Sequence, residues 1–245
     1  MVKNSIFLYG KNSVLERLNA NPQSIKRIFV QENFDAPEIM KIIKSSSIPF
    51  KYVTEKDLIR IKRAERLQGI VAEANKFTYT PFKELLYRPS EKPLTFIFLD
   101  SINDPHNLGS IIRILACFGG FAVVLHKHGS CEVNDTVLHV ASGGENFIHV
   151  SMVTNLSAAL REAKDAGYWV VGTVVEGGED LSKVSLPFPL CLVLGSEGKG
   201  IRHGLHKQLD LKVSLPMSGA PLSFNVAMAC AIFSYEIAKQ RPYKP

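Results

Sequence analysis

Tryptophan occurs once in these 245 residues, cysteine four times, and nowhere do eighteen apolar residues run together. The last absence argues against a membrane-spanning helix, which needs about 20 predominantly apolar residues. The opening MVKNSIFLYGKNSV holds an apolar patch too short for a secretory signal. The four cysteines (Cys117, Cys131, Cys191 and Cys230) stand far apart, three of them inside apolar runs. That spacing suits free thiols in a reducing cytosol better than a disulfide framework. His126, His128, Cys131 and His139 match no standard zinc spacing, so no metal site is expected.

Two nucleotide-binding signatures are missing as well. A dinucleotide enzyme would carry GxGxxG in its first strand-to-helix turn, but that turn reads DSINDPHNLG, with one glycine. GSEGKG looks like a phosphate loop until Lys199, which is followed by glycine where Ser or Thr is required. Nicotinamide chemistry and nucleoside triphosphate hydrolysis are therefore set aside.

What the chain does have is positive charge in one place. Residues 1–80 hold 14 Lys/Arg against 8 Asp/Glu, whereas residues 81–245 hold 15 of each. The whole excess of +6 therefore lies in the first third. Much of it falls in EKDLIRIKRAERLQG, where Lys56, Arg60, Lys62, Arg63 and Arg66 crowd together. A solvated helix face explains any one of them, but the cluster points to a polyanion such as RNA.

Hydrophobic patterning divides the chain in three. Residues 1–76 alternate short amphipathic helices with β-branched strands and read as a small α/β domain. Residues 77–93, bounded by Pro81 and Pro93, read as a linker. Residues 94–245 alternate apolar strands (LTFIFLD, FAVVLH, YWVVGTVV, PLCLVLG, LKVSLPM) with capped helices, the pattern of a parallel sheet covered on both faces. A closing helix is expected over Ser223–Gln240, where Ser223 and Asn225 suit capping. Ligands of such sheets sit at the carboxyl ends of the strands. Glycines mark three of those ends: Gly172, then Gly195 with Gly198 and Gly200, then Gly219. In the first loop Asn107 can cap the following helix. Arg113, flanked by isoleucines, is expected to be half-buried with an anionic partner, either Glu197 or a substrate phosphate. His106 is open to a general-base or a turn role.

Three stretches, DPHNLGSIIR (104–113), LVLGSEGKGI (192–201) and LPMSGAPLSFNVAMACAIFSYEIAKQR (215–241), resemble the three motifs of the SpoU/TrmH RNA ribose 2'-O-methyltransferases. The N-terminal LYGKNSVLERL resembles the L30e-like RNA-binding domain found in the RlmB type of that family. The resemblance implies a trefoil-knotted α/β methyltransferase domain, S-adenosylmethionine as cofactor, a cytoplasmic homodimer through the C-terminal domain, and RNA as substrate. Ribosomal RNA is the expected target and tRNA an alternative, as is a catalytically silent RNA-binding protein of the same fold. By matching positions it implies reaction roles for Asn107, Arg113, Glu197, Ser223 and Asn225. Cofactor contacts fall on Thr173, Gly195, Gly198, Leu215, Phe224 and Asn225. One departure stands out: the family's usual Ser-Leu-Asn-Val-Ser is Ser223-Phe224-Asn225-Val226-Ala227 here, which removes a hydroxyl and adds bulk.

Overall fold

The computed structural model describes residues 5–196, 198–220 and 222–242. The chain begins with β1 (Ser5–Tyr9), α1 (Lys11–Ala20), β2 (Ile25–Gln31), α2 (Pro37–Ser45), β3 (Phe50–Val53), α3 (Glu55–Ile61) and β4 (Ile70–Asn75). These strands form a four-stranded sheet in the order β1-β4-β2-β3, antiparallel except where β2 and β3 run parallel. Helix α3 is shorter than the charge-rich run suggested. Thr54 caps it by accepting from the Asp57 N–H, and the chain leaves it at Lys62. Arg66, Gln68 and Gly69 then take left-handed backbone angles, so residues 62–69 form an irregular loop.

The next elements are α4 (Phe82–Leu86), β5 (Thr95–Leu99), α5 (Pro105–Phe118), β6 (Phe121–His126), α6 (Asp135–Ala141), β7 (His149–Val153) and α7 (Leu156–Asp165). They are followed by β8 (Trp169–Thr173), β9 (Glu179–Asp180), β10 (Leu190–Leu194), α8 (His203–His206), β11 (Leu211–Ser214) and α9 (Val226–Gln240). The second sheet has the order β7-β6-β5-β10-β8-β11-β9, and every pairing in it is parallel. Strands β5 and β10 are buried at every residue, as their unbroken apolar runs require of a sheet covered on both faces. Each fully buried Phe or Leu in them contributes about 1.5–3 kcal/mol of transfer free energy.

Two compact units result. One comprises residues up to Thr78 together with Val133–Phe147; the other comprises Tyr79–Glu132 and the chain from Ile148 onward. The first thus includes α6, which sequence pattern alone had placed with the later residues. Three contacts tie α6 and its flanks to the N-terminal stretch. The Asp135 carboxylate accepts from the Phe7 N–H, the His139 ring stacks on Tyr9, and Arg17 pairs with Glu145 at 3.0 Å. The 77–93 stretch is also more than a connection. Phe82, Leu85 and Leu86 of α4 are buried in the core of the second unit, with Phe82 edge-on to Phe96 and Phe98.

Candidate functional site

In the second unit a cavity of about 300 Å³ opens at the carboxyl ends of β8, β10 and β11. Three loops build it, contributing Thr173, Gly195, Gly198, Leu215, Ser223 and Phe224, while Phe233 of α9 closes its apolar side. The described residues of 195–200 and 215–225 lie between regular elements, so most of their peptide groups are not committed to a ladder. The glycines act less by admitting a ligand than by shaping the walls. A Cβ on Gly195 would lie 2.1 Å from the carbonyl carbon of Gly200, and one on Gly172 would lie 2.5 Å from the Leu209 side chain. Ser196 and Gly200 exchange two backbone hydrogen bonds, and Gly198 and Gly200 take the left-handed angles this tight return needs.

Ser223-Phe224-Asn225 leads from the third loop into α9. Helix α9 starts at Val226, three residues later than expected, and Asn225 is its cap: the Asn225 Oδ1 accepts from the Ala227 N–H at 2.9 Å. The other end of the same amide donates from Nδ2 to Asn107 Oδ1 at 2.9 Å. One side chain thus terminates a helix and joins the first and third motifs. Ser223 and Phe224 are exposed, and both line the cavity. Ala227 is buried within α9, so the hydroxyl it lacks would have fallen in the core.

Other placements differ from expectation. Asn107 does not cap α5; Asp104 does, its carboxylate accepting from the His106 N–H, with Pro105 in the first turn. His106 is exposed in that same turn. Arg113 is exposed and not half-buried, and no ion pair among the described residues includes it. It lines neither cavity of this unit described in this section. Glu197 lies outside the described residues. Burial pushes the Cys230 thiol up to about 12 and raises Cys191 well above its usual range, so neither supplies a thiolate near neutrality.

Beside the first cavity lies a second, of about 660 Å³, between the 101–107 turn and the 196–202 loop. Ser196, Lys199 and Val226 line both. Behind its lining residue Arg202 is a contact that carries almost no sequence signal. Asp100, fully buried at the end of β5, accepts from the Arg202 Nε at 2.6 Å and from the Arg202 N–H at 2.8 Å. The only sequence sign was a lone acid ending an apolar strand; its partner 102 residues away carried none.

The basic cluster of the first unit is divided by the structure. Lys56, Arg60 and Arg63 line one shallow depression, and Arg66 lines another with Phe34 and Gln68. Lys62 stands apart from them. Its ammonium is bound to Asp135 and lies over the Tyr9 ring. Arg60 shares its charge with Asp57 one helical turn away, a solvent-exposed pair worth little.

Residues 94–235 match the model of the SpoU rRNA Methylase family, and residues 7–80 match that for RNA 2'-O ribose methyltransferase substrate binding. The chain is 36% identical to the 23S rRNA (guanosine-2'-O-)-methyltransferase RlmB of Neisseria meningitidis, covering 97% of this chain and 96% of that one. To RlmB of Nitrosomonas europaea it is 35% identical, covering 96% and 92%. Among solved structures it superposes on the SpoU methyltransferase AviRb of Streptomyces viridochromogenes in complex with AdoMet. There the TM-score is 0.81 at 19% identity, over 97% of this chain and 91% of that one.

Proposed function

The chain belongs to the SpoU rRNA methylase family and is an RNA 2'-O-methyltransferase that uses S-adenosylmethionine; we propose that its target is a guanosine ribose in 23S rRNA. The observation that supports the reaction site is the three-loop cavity, whose lining residues Phe224 and Val226 flank Asn225, itself hydrogen-bonded to Asn107 on the wall of the adjoining cavity. Its donor set fits the cofactor. Uncommitted peptide groups of two loops suit the polar ribose and amino acid portions, and Leu215, Val226, Ala229 and Phe233 offer an apolar wall for the adenine. Thr173, Gly195, Gly198, Leu215, Phe224 and Asn225 are the residues we assign to holding it.

When bound, S-adenosylmethionine supplies an electrophilic methyl group carried on a sulfonium. The chain's own residues then have orientation and charge as their work. Asn225 ties the end of the third loop to Asn107, which holds the 101–107 turn where a ribose must enter. Ser223 presents a hydroxyl on the wall of the three-loop cavity. Arg113 is a donor for the oxyanion that develops as the 2'-hydroxyl loses its proton; a guanidinium stays protonated and is not the base. Glu197 is assigned to orienting Arg113 or Asn107.

Arg113 stands outside both cavities of its own subunit, and this bears on assembly. Helices α5 and α9 pack together and expose Met228, Ile232 and Tyr235, with Tyr235 set against Phe118. We assign that apolar face to a homodimer in which Arg113 serves at the subunit interface. Lys56, Arg60, Arg63 and Arg66 are assigned to gripping the RNA backbone. No helix among the described residues is long and apolar enough to cross a membrane, and four free thiols suit a cytoplasmic protein.

Calorimetry with S-adenosylmethionine, and mapping of the ribose methylation lost when the gene is deleted, test the reading. Uptake of the donor and one missing guanosine methylation in 23S rRNA are expected. A missing tRNA methylation would move the target, and no uptake with or without RNA would overturn the site.

A further inference from the structure

We propose that Arg202, held by the buried Asp100, grips a phosphodiester of the substrate RNA beside the reacting ribose; this rests on the reading of the adjoining cavity as the methyl-donor site. Three observations converge on the larger cavity of the second unit. It adjoins the donor cavity, since Ser196, Lys199 and Val226 line both. Its volume of about 660 Å³ is more than a single ribose needs. Its polar lining has two donor-only cations, Lys199 and Arg202, with Ser101, Asn103, Asn107 and Ser196, which can each donate as well as accept. The one carboxylate among the described lining residues, Asp104, is engaged in capping α5.

Arg202 is built for a fork. Asp100 is wholly buried, and its two oxygens take the Arg202 Nε and the Arg202 backbone N–H. The Ser101 hydroxyl donates to the same carboxylate, and the Asp100 N–H is tied to the Leu194 carbonyl. A guanidinium fixed through its Nε has both Nη groups left to donate, and the Arg202 side chain remains 49% exposed. Two parallel donors in a plane match two phosphate oxygens, and a guanidinium already held loses little freedom on binding. The Asp100 charge offsets that of Arg202, so Lys199, exposed on the same rim, supplies the net attraction. Ser101 adopts a left-handed backbone angle (φ 65°), a conformation a non-glycine residue keeps only where surrounding contacts enforce it. Asp100 is accordingly a positioning residue and Arg202 a substrate-binding one.

The test uses the full-length protein and rRNA extracted from a strain lacking the gene. Donor affinity is measured by calorimetry, RNA affinity by filter binding across a salt series, and transfer with labelled donor. Arg202→Gln should weaken RNA binding about 10-fold, the loss expected for a charge-assisted contact. The slope of log affinity against log salt should fall by about 0.7–0.9, one phosphate. Donor affinity should stay within about twofold, an order-of-magnitude bound for a site left intact. Arg202→Lys should recover the salt slope but not the full affinity, because an ammonium keeps the charge and loses the fork. The double variant Asp100→Asn with Arg202→Gln removes the buried charge along with its partner and guards against misfolding of the single change. It should match Arg202→Gln in RNA binding. Unchanged RNA affinity and slope in a variant that still binds donor would overturn the proposal. So would a loss of donor affinity with RNA binding intact, since Arg202 would then only brace the cofactor loop. Failure of the wild type to take up donor or to methylate RNA strikes the underlying reading instead.

Discussion

The two units handle RNA chemistry in opposite ways. The first carries its excess charge on its surface: Lys56, Arg63 and Arg66 are exposed on α3 and the loop after it. The second sets glycine loops, two asparagines and a few cations around two adjoining cavities at the strand ends. Exposed charge attracts any polyanion and tolerates imprecision, because counterion release depends on how many phosphates are neutralised and not on one fixed geometry. Alignment of a methyl donor with one hydroxyl does not tolerate it, because a misplacement of about 1 Å can cost about 100-fold in rate. The difference teaches that affinity and reaction geometry are separable in this chain.

That separation can be broken by experiment, starting where the largest effect is expected. Arg113→Lys should lower single-turnover methyl transfer by about 100- to 1,000-fold, the loss typical of a misplaced oxyanion donor. Donor affinity measured by calorimetry should be nearly unchanged; a fully active Lys variant would remove Arg113 from the reaction. Gly195→Ala comes next, since its methyl group would collide with the Gly200 backbone, which cannot move aside as a flexible side chain would. Donor affinity should fall about 100-fold, on the order of a 2–3 kcal/mol overpacking cost, while RNA binding to the first unit persists. Neutralising Lys56, Arg60 and Arg63 together should do the reverse. RNA affinity should drop about 10- to 30-fold and the salt slope by up to about 2–3, with no change in donor uptake.

The smallest effect concerns the first unit alone. Burial raises the Glu145 carboxyl above its ordinary 4.5 even though Arg17 beside it pulls the other way. The native state therefore binds this proton more readily than the unfolded chain, so the group's contribution to stability is greatest at acid pH. It declines as pH rises from 4.5 through the raised value. Glu145→Gln should flatten that dependence, and thermal melts between pH 4.5 and 7 should differ in slope by a few degrees. Parallel slopes would show that Glu145 binds its proton equally well in the folded and unfolded chain, against the raised value.

Much of this was legible in the residues, for reasons particular residues make clear. Strands β5, β6 and β10 are almost wholly apolar and buried at every residue but His126, which only a sheet covered on both faces allows. Of the three glycine positions only Gly195, with Gly198 and Gly200, lines the three-loop cavity; Gly172 lies within β8, and Gly219 stands five residues beyond β11. Arg113 was misjudged because its isoleucine neighbours were read in sequence and not in helical projection. Leu108, Ile111, Ile112 and Leu115 fill the buried stripe at the 3–4 spacing, which turns Arg113 outward. The cap of α5 was also readable, since Asp104 precedes a proline at the first helical position. Lys62 was not, because the carboxylate that claims it is Asp135, 73 residues on. Helix α4 hid among prolines and charges, and only its packing on Phe96 and Phe98 reveals it.

The passage of α6 through the first unit has a practical consequence. A single cut after residue 78 would not yield two intact modules. The front piece would lack the ring against Tyr9 and the carboxylate opposite Arg17. The rear piece would carry Val137, Leu138 and Glu145 stripped of the surroundings that bury them. Dissection, or grafting of a foreign recognition module onto the front, has to move both stretches of chain together.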